Sequence, residues 1–208
     1  MPLIYNEIAG RNVDRLAALS DGVFAFAMTL LVHDLRVPVI RLVGSEHDLL
    51  RALAALAPNL LTYLISFMTL GIFWVGQQTQ LNKVERADRE FAWIHLTFLL
   101  AVTLVPFTTQ LLAAFIEYRT ALLVYWLNIL GLGATLWWSW QYVRRAGLLK
   151  SDAPAGIDAA VRRRIAVAQR CTHSARYCAC GTYLSIAFIL LVQLNYVFAP
   201  RIGVLRRL

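Results

Sequence analysis

The sequence predicts an all-α polytopic membrane protein with six transmembrane helices. Of its 208 residues, 59% are hydrophobic, and the mean hydropathy is +0.59. Both values exceed those of ordinary soluble domains. The apolar residues form long runs, and the basic residues behind the net charge of +8 lie in the gaps between them. Because the cations are not collected on one amphipathic face, we expect a membrane surface and no nucleic acid as their partner.

The first predicted helix covers residues 17–35 and ends before Pro38. At about 1.5 Å per residue it is long enough to cross a hydrocarbon core of about 30 Å. It also carries Asp21, Thr29 and His33, although a charged group near the bilayer centre costs at least about 2.5 kcal/mol. We therefore expect one face of this helix to line protein or water. No cleavage site follows it, so we expect the helix to remain in the mature protein.

Three further apolar runs predict the second, third and fourth helices at residues 49–79, 91–115 and 121–142. The second contains Pro58 and the third contains Pro106. Local packing can absorb the interruption at Pro58 in a membrane helix, so the second run is expected to be one helix. The fourth run is rich in tryptophans that cluster toward its ends, as interfacial anchors do; these are Trp126, Trp137, Trp138 and Trp140.

The C-terminal part predicts a short fifth helix at 165–180 and a sixth at 182–199. The fifth is unusually polar, so we expect it to pack against protein or to lie partly at the interface. Six spans, unlike five, place the final arginines on the same side as the other inner-loop cations. Arg162–Arg164 are expected to anchor on anionic lipid. Cys171, Cys178 and Cys180 lack zinc or redox spacing and are expected to be packing residues. Residues 1–208 thus form a single transmembrane domain.

The sequence gives little support for an enzymatic function. The four histidines lie on separate elements without metal-ligand spacing, and the chain has no H-E-x-x-H, no G-x-S-x-G and no phosphate-binding glycine loop. We expect no metal, no cofactor and no enzymatic activity. An intramembrane hydrolase built from His33, Asp34 and His95 is the enzyme alternative; loss of activity on removing one histidine would identify it.

The start of the first helix carries a more specific signal. Arg15, Ser20 and Asp21 fit the signature R-x-x-x-F-S-D, and Trp74 and Pro106-Phe107 follow in the second and third helices. In these residues the chain resembles the prokaryotic branch of the endosomal/lysosomal potassium channel family, whose subunits have one six-helix repeat. The resemblance covers the chain to about residue 142. Leu19, Gln77 and His95 depart from the family pattern of Phe, His and Asn.

The resemblance implies a polar network at the inner end of the bundle that positions the first helix. Its expected members are Arg15, Ser20, Asp21, Trp74, Gln77 and His95, and the departures indicate that this network is rewired. Arg15 and Asp21 differ by roughly 240° around the helix and cannot pair with each other. They are expected to find partners on other helices or in water. The alternative is that Ser20 and Asp21 only cap or solvate the helix start.

The resemblance also implies a homotetramer whose first helices surround a central pore without a carbonyl filter. Phe26, Leu30 and His33 map onto the narrow layers and Thr29 onto a hydroxyl layer, and at roughly 100° per residue all four share one stripe. The predicted function is a potassium-permeable leak channel in a prokaryotic inner membrane, with potassium ions, membrane lipids and further copies of the chain as partners. A proton-permeable or non-selective cation pore and a non-conducting structural protein of the same fold are the alternatives.

His33 is the position at which the chain differs most from the family, where an apolar residue is usual. Four imidazoles on the axis would gain charge below roughly pH 6 and would repel cations. The alternative places His33 at the interface, turned toward Asp34 and lipid headgroups.

Overall fold

The computed structural model describes residues 12–33, 35–37 and 44–150. The ordered elements in this part of the chain are helices, as the sequence predicts. They are α1 (Val13–His33), α2 (Glu46–Ala55), α3 (Ala57–Leu81), α4 (Arg89–Thr103), α5 (Val105–Ala114) and α6 (Arg119–Arg145). The helices predicted at 165–180 and 182–199, the three cysteines, Arg162–Arg164 and Asp34 lie outside the described residues.

Four stretches are long and apolar enough to cross a membrane: α1, α3, Arg89–Ala114 (α4 and α5 together) and α6. Residues at the start of α1 pack against Leu81 at the end of α3 and Phe91 near the start of α4. These three helix ends therefore lie together. We call this the N-terminal end of the bundle; it holds the start of α1, the end of α3, the start of α4 and the end of α6.

The two prolines divide predicted helices. The run predicted as one helix at 49–79 is two helices, α2 and α3, which meet at Leu56; the run at 91–115 is also divided, at Leu104. Pro58 and Pro106 are each the second residue of the helix that follows. A proline has no N–H and is tolerated in a first helical turn, whereas in a helix interior it clashes with the preceding turn. The prediction that packing absorbs Pro58 within one continuous helix is therefore wrong.

Asn128 on α6 repairs the backbone where α4 and α5 meet. With its amide oriented to satisfy its surroundings, Asn128 Nδ2 donates to Ala101 O at 3.1 Å, and its Oδ1 accepts from Val105 N and Thr108 Oγ1, both at 3.2 Å. In an unbroken helix the Val105 N–H would donate to Ala101 O. The side-chain amide thus serves both backbone groups that the break leaves unpaired.

One face of α1 packs into the hydrophobic core, and this packing holds the helix in place. Phe24, Ala27 and Leu31 are buried among residues of α3, α4, α5 and α6, and the rings of Phe24 and Phe98 lie 6.0 Å apart. The predicted end-anchor role of the α6 tryptophans is corrected for two of them. Trp126 and Trp140 are 8% and 2% exposed and belong to the core, whereas Trp137 and Trp138 are exposed.

The N-terminal end is closed by two connected loops. Glu85 N donates to Leu148 O at 2.9 Å, and Lys150 N donates to Lys83 O at 3.0 Å. Gly147 makes the turn after α6 possible, because its φ of 65° lies in the left-handed region that side chains other than glycine seldom adopt. The first turn of α1, at Val13, Leu16 and Ala17, packs against this end.

Candidate functional site

The helix α1 has two opposite faces of different character. The buried face consists of Ser20, Phe24, Ala27 and Leu31, whose spacing of four, three and four residues forms one helical stripe. Phe26, Thr29, Leu30 and His33 lie on the other side and are exposed, with Phe26 at 64% and Leu30 at 39%. The four residues predicted to line a pore therefore share one face that the described residues of a single subunit leave uncovered.

The exposed face of α1 mixes bulky apolar groups with polar ones. Thr29 Oγ1 donates to Phe26 O at 2.8 Å. Because this bond uses the hydroxyl hydrogen, the oxygen lone pairs of Thr29 point away from the helix. Gly22, on the same face, has no neighbouring atom within 4 Å of the place of a Cβ. We call this surface, defined by Gly22, Phe26, Thr29, Leu30 and His33, the open face of α1.

Ser20 joins α1 to α3 and α4. Its side chain is fully buried, and Gln77 and His95 are each 2% exposed. Ser20 Oγ donates to Leu16 O at 2.8 Å and accepts from Gln77 Nε2 at 2.7 Å. His95 Nε2 lies 2.7 Å from Ser20 Oγ and 3.3 Å from Gln77 Nε2. Ser20, Gln77 and His95 thus form one buried polar group that joins three helices.

Asp21 forms a second connection between α1 and α3. Its Oδ1 accepts from Trp74 Nε1 at 2.7 Å and from Gln78 Nε2 at 2.6 Å. Gln78 was missed by the sequence analysis, although it lies one turn after Trp74 and could have been found by that spacing. Asp21 and Ser20 are adjacent in sequence, so the two connections hold neighbouring sides of α1.

Arg15 does not join either connection in the described structure. Its side chain is exposed, and its backbone N donates to Asn12 Oδ1 at 3.1 Å. The structure therefore brings together five of the six residues of the predicted network. It also excludes the capping alternative, because α1 begins at Val13, well before Ser20 and Asp21.

A further buried polar cluster was not predicted. Thr109 Oγ1 donates to Ser66 Oγ at 2.7 Å, and Ser66 Oγ donates to the Tyr125 hydroxyl at 3.1 Å. These residues lie on α5, α3 and α6 and are all buried. The available signal was the presence of hydroxyl residues inside strongly apolar runs. The cluster connects α3, α5 and α6, and two of these helices, α3 and α5, pack directly against α1.

The hydrolase alternative is inconsistent with the geometry. His95 contacts Ser20, and His33 follows Ser20 by 13 positions on the same helix, which is a separation of about 20 Å along α1. Two histidines this far apart cannot act on one substrate bond. Within residues 12–33, 35–37 and 44–150, no group of three or more possible metal ligands occurs.

Comparison with known proteins assigns the chain to a family. The sequence family described as endosomal/lysosomal potassium channel TMEM175 matches residues 15–106. A potassium channel of Streptomyces collinus is 34% identical over 155 residues, which are 71% of this chain and 74% of that protein. The chain belongs to the TMEM175 family. It is thus a multi-pass integral membrane protein of an ion-channel family rather than of an enzyme family.

For other TMEM175 relatives, this chain covers a smaller share of the relative's length. A potassium channel of Chamaesiphon minutus is 38% identical over 107 residues, which are 51% of this chain and 52% of that protein. An endosomal/lysosomal proton channel TMEM175 of Gallus gallus is 35% identical over 109 residues, 50% of this chain and 22% of the chicken protein. The bacterial relatives are consistent with location in a prokaryotic inner membrane.

A solved structure shows the same fold. The crystal structure of a lysosomal potassium-selective channel TMEM175 homolog from Chamaesiphon minutus matches with a TM-score of 0.71 and 26% sequence identity. The match covers 91% of this chain and 98% of that chain. The all-helical arrangement is therefore a TMEM175 channel fold.

Proposed function

We propose that this protein is a potassium-permeable cation channel whose pore is lined by the open face of α1. The observation that carries the proposal is the exposure of this face, with Thr29 and His33 among large apolar side chains. A polar face of a transmembrane helix is expected to meet protein or water rather than lipid. One helix cannot enclose water, so several copies of α1 must do so together.

The proposed assembly is a homotetramer. Each subunit has six transmembrane helices, including those predicted at 165–180 and 182–199, and contributes α1 to the central axis. The buried face of α1, with Phe24 and Leu31, packs on its own subunit. The open face points to the axis, where four copies exclude lipid. The potassium channel relatives and the channel fold support self-assembly around a pore.

The open face supplies the layers that a pore without a carbonyl filter needs. Rings of four Phe26 and four Leu30 side chains form narrow apolar constrictions, and such constrictions gate a pore by dewetting it. Four Thr29 hydroxyls lie between them. Their lone pairs replace part of the hydration shell of a cation, which gives a modest preference for potassium.

The connections of Ser20 and Asp21 hold α1 in this orientation. Ser20 contacts Gln77 and His95 on one side of α1, and Asp21 contacts Trp74 and Gln78 on the neighbouring side. Both connections lie at the N-terminal end, outside the open face. They act as positioning contacts and leave the pore surface free.

The distribution of charge supports a cytoplasmic N-terminal end. Among the described residues, the two loops at this end and the adjacent helix ends carry seven cations: Arg15, Lys83, Arg86, Arg89, Arg144, Arg145 and Lys150. Near the opposite end, the described residues contain Arg36, Arg51 and Arg119. Cytoplasmic loops are enriched in Lys and Arg, so the start of α1 is placed inside the cell.

A proton-permeable pore is the second candidate. Vertebrate relatives are named proton channels, and His33 offers a titratable group on the open face. Reversal potentials separate the two candidates. Purified protein in liposomes is exposed in turn to potassium, sodium and proton gradients. We expect the potential to follow the potassium gradient; a potential that follows only the proton gradient identifies a proton pore, and no current identifies a non-conducting protein.

A further inference from the structure

One buried polar atom stands out beside the Ser20 connection. Gln77 Oε1 has no hydrogen-bond partner, and it is the one buried side-chain nitrogen or oxygen of the described residues in that situation. The other amide atom, Nε2, is engaged with Ser20. Buried acceptors are nearly always satisfied by protein or by ordered water. The position of this oxygen therefore points to a ligand that donates a hydrogen bond.

Gln77 also lines a small cavity. Its volume is about 10 Å³, which is close to the space that one water molecule needs. The lining residues with polar side-chain atoms are Gln77, Gln80, His95, Ser139 and Trp140, and the remaining lining residues are apolar. A buried water needs two to four polar partners. The lining supplies that number, from α3, α4 and α6.

We propose that this cavity is a binding site for a single structural water. The water donates to Gln77 Oε1 and pairs with the hydroxyl of Ser139 on α6. Because Gln77 Nε2 holds Ser20, hydrogen bonds run from α1 through α3 and the water to α6. Ser139 is thus a positioning residue for α1, although the two do not touch. The inference stands whether or not α1 lines a pore.

The water couples Gln77 to Ser139, and a double-mutant cycle measures this coupling. The variants are Ser139→Ala, Gln77→Leu and the double variant, each compared with the parent by thermal unfolding in detergent. Removing the Ser139 hydroxyl from the parent takes a partner from the water, and we expect the melting temperature to fall by about 2–4 °C. In the Gln77→Leu background the oxygen is gone, so Ser139→Ala should have almost no effect.

Thr135→Ala is the matched control. Thr135 lies one turn before Ser139 on α6, but its hydroxyl donates to Gly131 O at 2.8 Å within its own helix. Its effect should be equal in both backgrounds. Equal effects of Ser139→Ala in the two backgrounds would overturn the proposal, since independent sites are additive.

Density provides a direct second measurement. A cryo-EM or crystal map of the parent at about 2 Å should contain one peak within hydrogen-bonding distance of Gln77 Oε1 and Ser139 Oγ. A cavity without a peak, or a Gln77 amide turned to another protein donor, would contradict the assignment. This map also keeps the proposal testable if the Gln77 variant does not fold.

Discussion

Phe26 is the largest side chain on the open face of α1 and is 64% exposed in the single subunit. If four Phe26 rings form the tightest apolar layer, Phe26→Ala widens it and allows it to wet. We predict a several-fold rise in resting potassium flux in liposomes. Leu127→Ala is the control, because Leu127 is similarly exposed but lies on α6. Unchanged flux in Phe26→Ala would place the constriction elsewhere.

A Thr29 variant tests whether the Thr29 hydroxyls are the source of the preference for potassium over sodium. Thr29→Val keeps the shape of the side chain and removes the hydroxyl oxygen that faces away from α1. We predict a lower preference for potassium over sodium with current retained, because an apolar methyl cannot replace hydration water. Reversal potentials under a potassium–sodium gradient measure the change. An unaltered ratio would mean that the Thr29 hydroxyl does not contact the permeant ion.

A His33 variant tests how pH affects potassium flux. Histidine gains a proton as the pH falls, so a ring of four His33 side chains becomes positive in acid and repels cations. We predict that potassium flux is lower in acid than at neutral pH in the parent and that His33→Leu is less sensitive. The comparison needs flux from about pH 8 to pH 5 in both proteins. Identical profiles would show that His33 lies at the interface and does not gate.

At the residue scale, the sequence predicted Ser20, Asp21, Trp74, Gln77 and His95 as partners because a family signature connected them. The role of Arg15 stays a prediction: its side chain is exposed at the first turn of α1, in agreement with the expectation of a partner on another helix or in water. Gln78 was missed, although the spacing of one turn from Trp74 places Gln78 on the same side of α3. Which side chains of α3 become hydrogen-bond partners of α1 depends on how the two helices cross.

At the element scale, the break between α4 and α5 depends on Asn128. Replacing this residue by the similarly sized Leu leaves Ala101 O and Val105 N without partners in an apolar setting. Leaving a buried polar group unsatisfied costs about 1–3 kcal/mol. We predict that Asn128→Leu lowers the melting temperature by several degrees, measured in detergent.

The control for this variant is Thr97→Val. Thr97 is exposed on α4, and its hydroxyl donates to Trp93 O within the same helix. Exposed substitutions of this kind usually change stability by less than about 0.5 kcal/mol. If Asn128→Leu is no more harmful than Thr97→Val, the amide does not repair the backbone.

The apolar runs predicted where the spanning helices lie, but not their ends. The break points fall at Leu56 and Leu104, two residues before each proline, because proline fits the second position of a new helix. The early start of α1 at Val13 comes from packing of its first turn on the loops at the N-terminal end. That contact joins residues far apart in sequence, so no local pattern indicates it.

At the scale of the whole molecule, the described helices explain why a single subunit is incomplete. The core covers one face of α1, two polar connections hold it, and the open face is left uncovered by residues 12–33, 35–37 and 44–150. Symmetric assembly covers such a face with copies of itself. Since each subunit contributes only one α1, several copies are needed to enclose a pore, and four is the number proposed above.

The structure of the assembled protein in lipid nanodiscs, determined by cryo-EM, tests the central claim most directly. The account predicts a homotetramer with four α1 helices around the axis and with Phe26, Thr29 and Leu30 facing a central pore. A monomer, or an assembly in which these side chains face lipid, would contradict it.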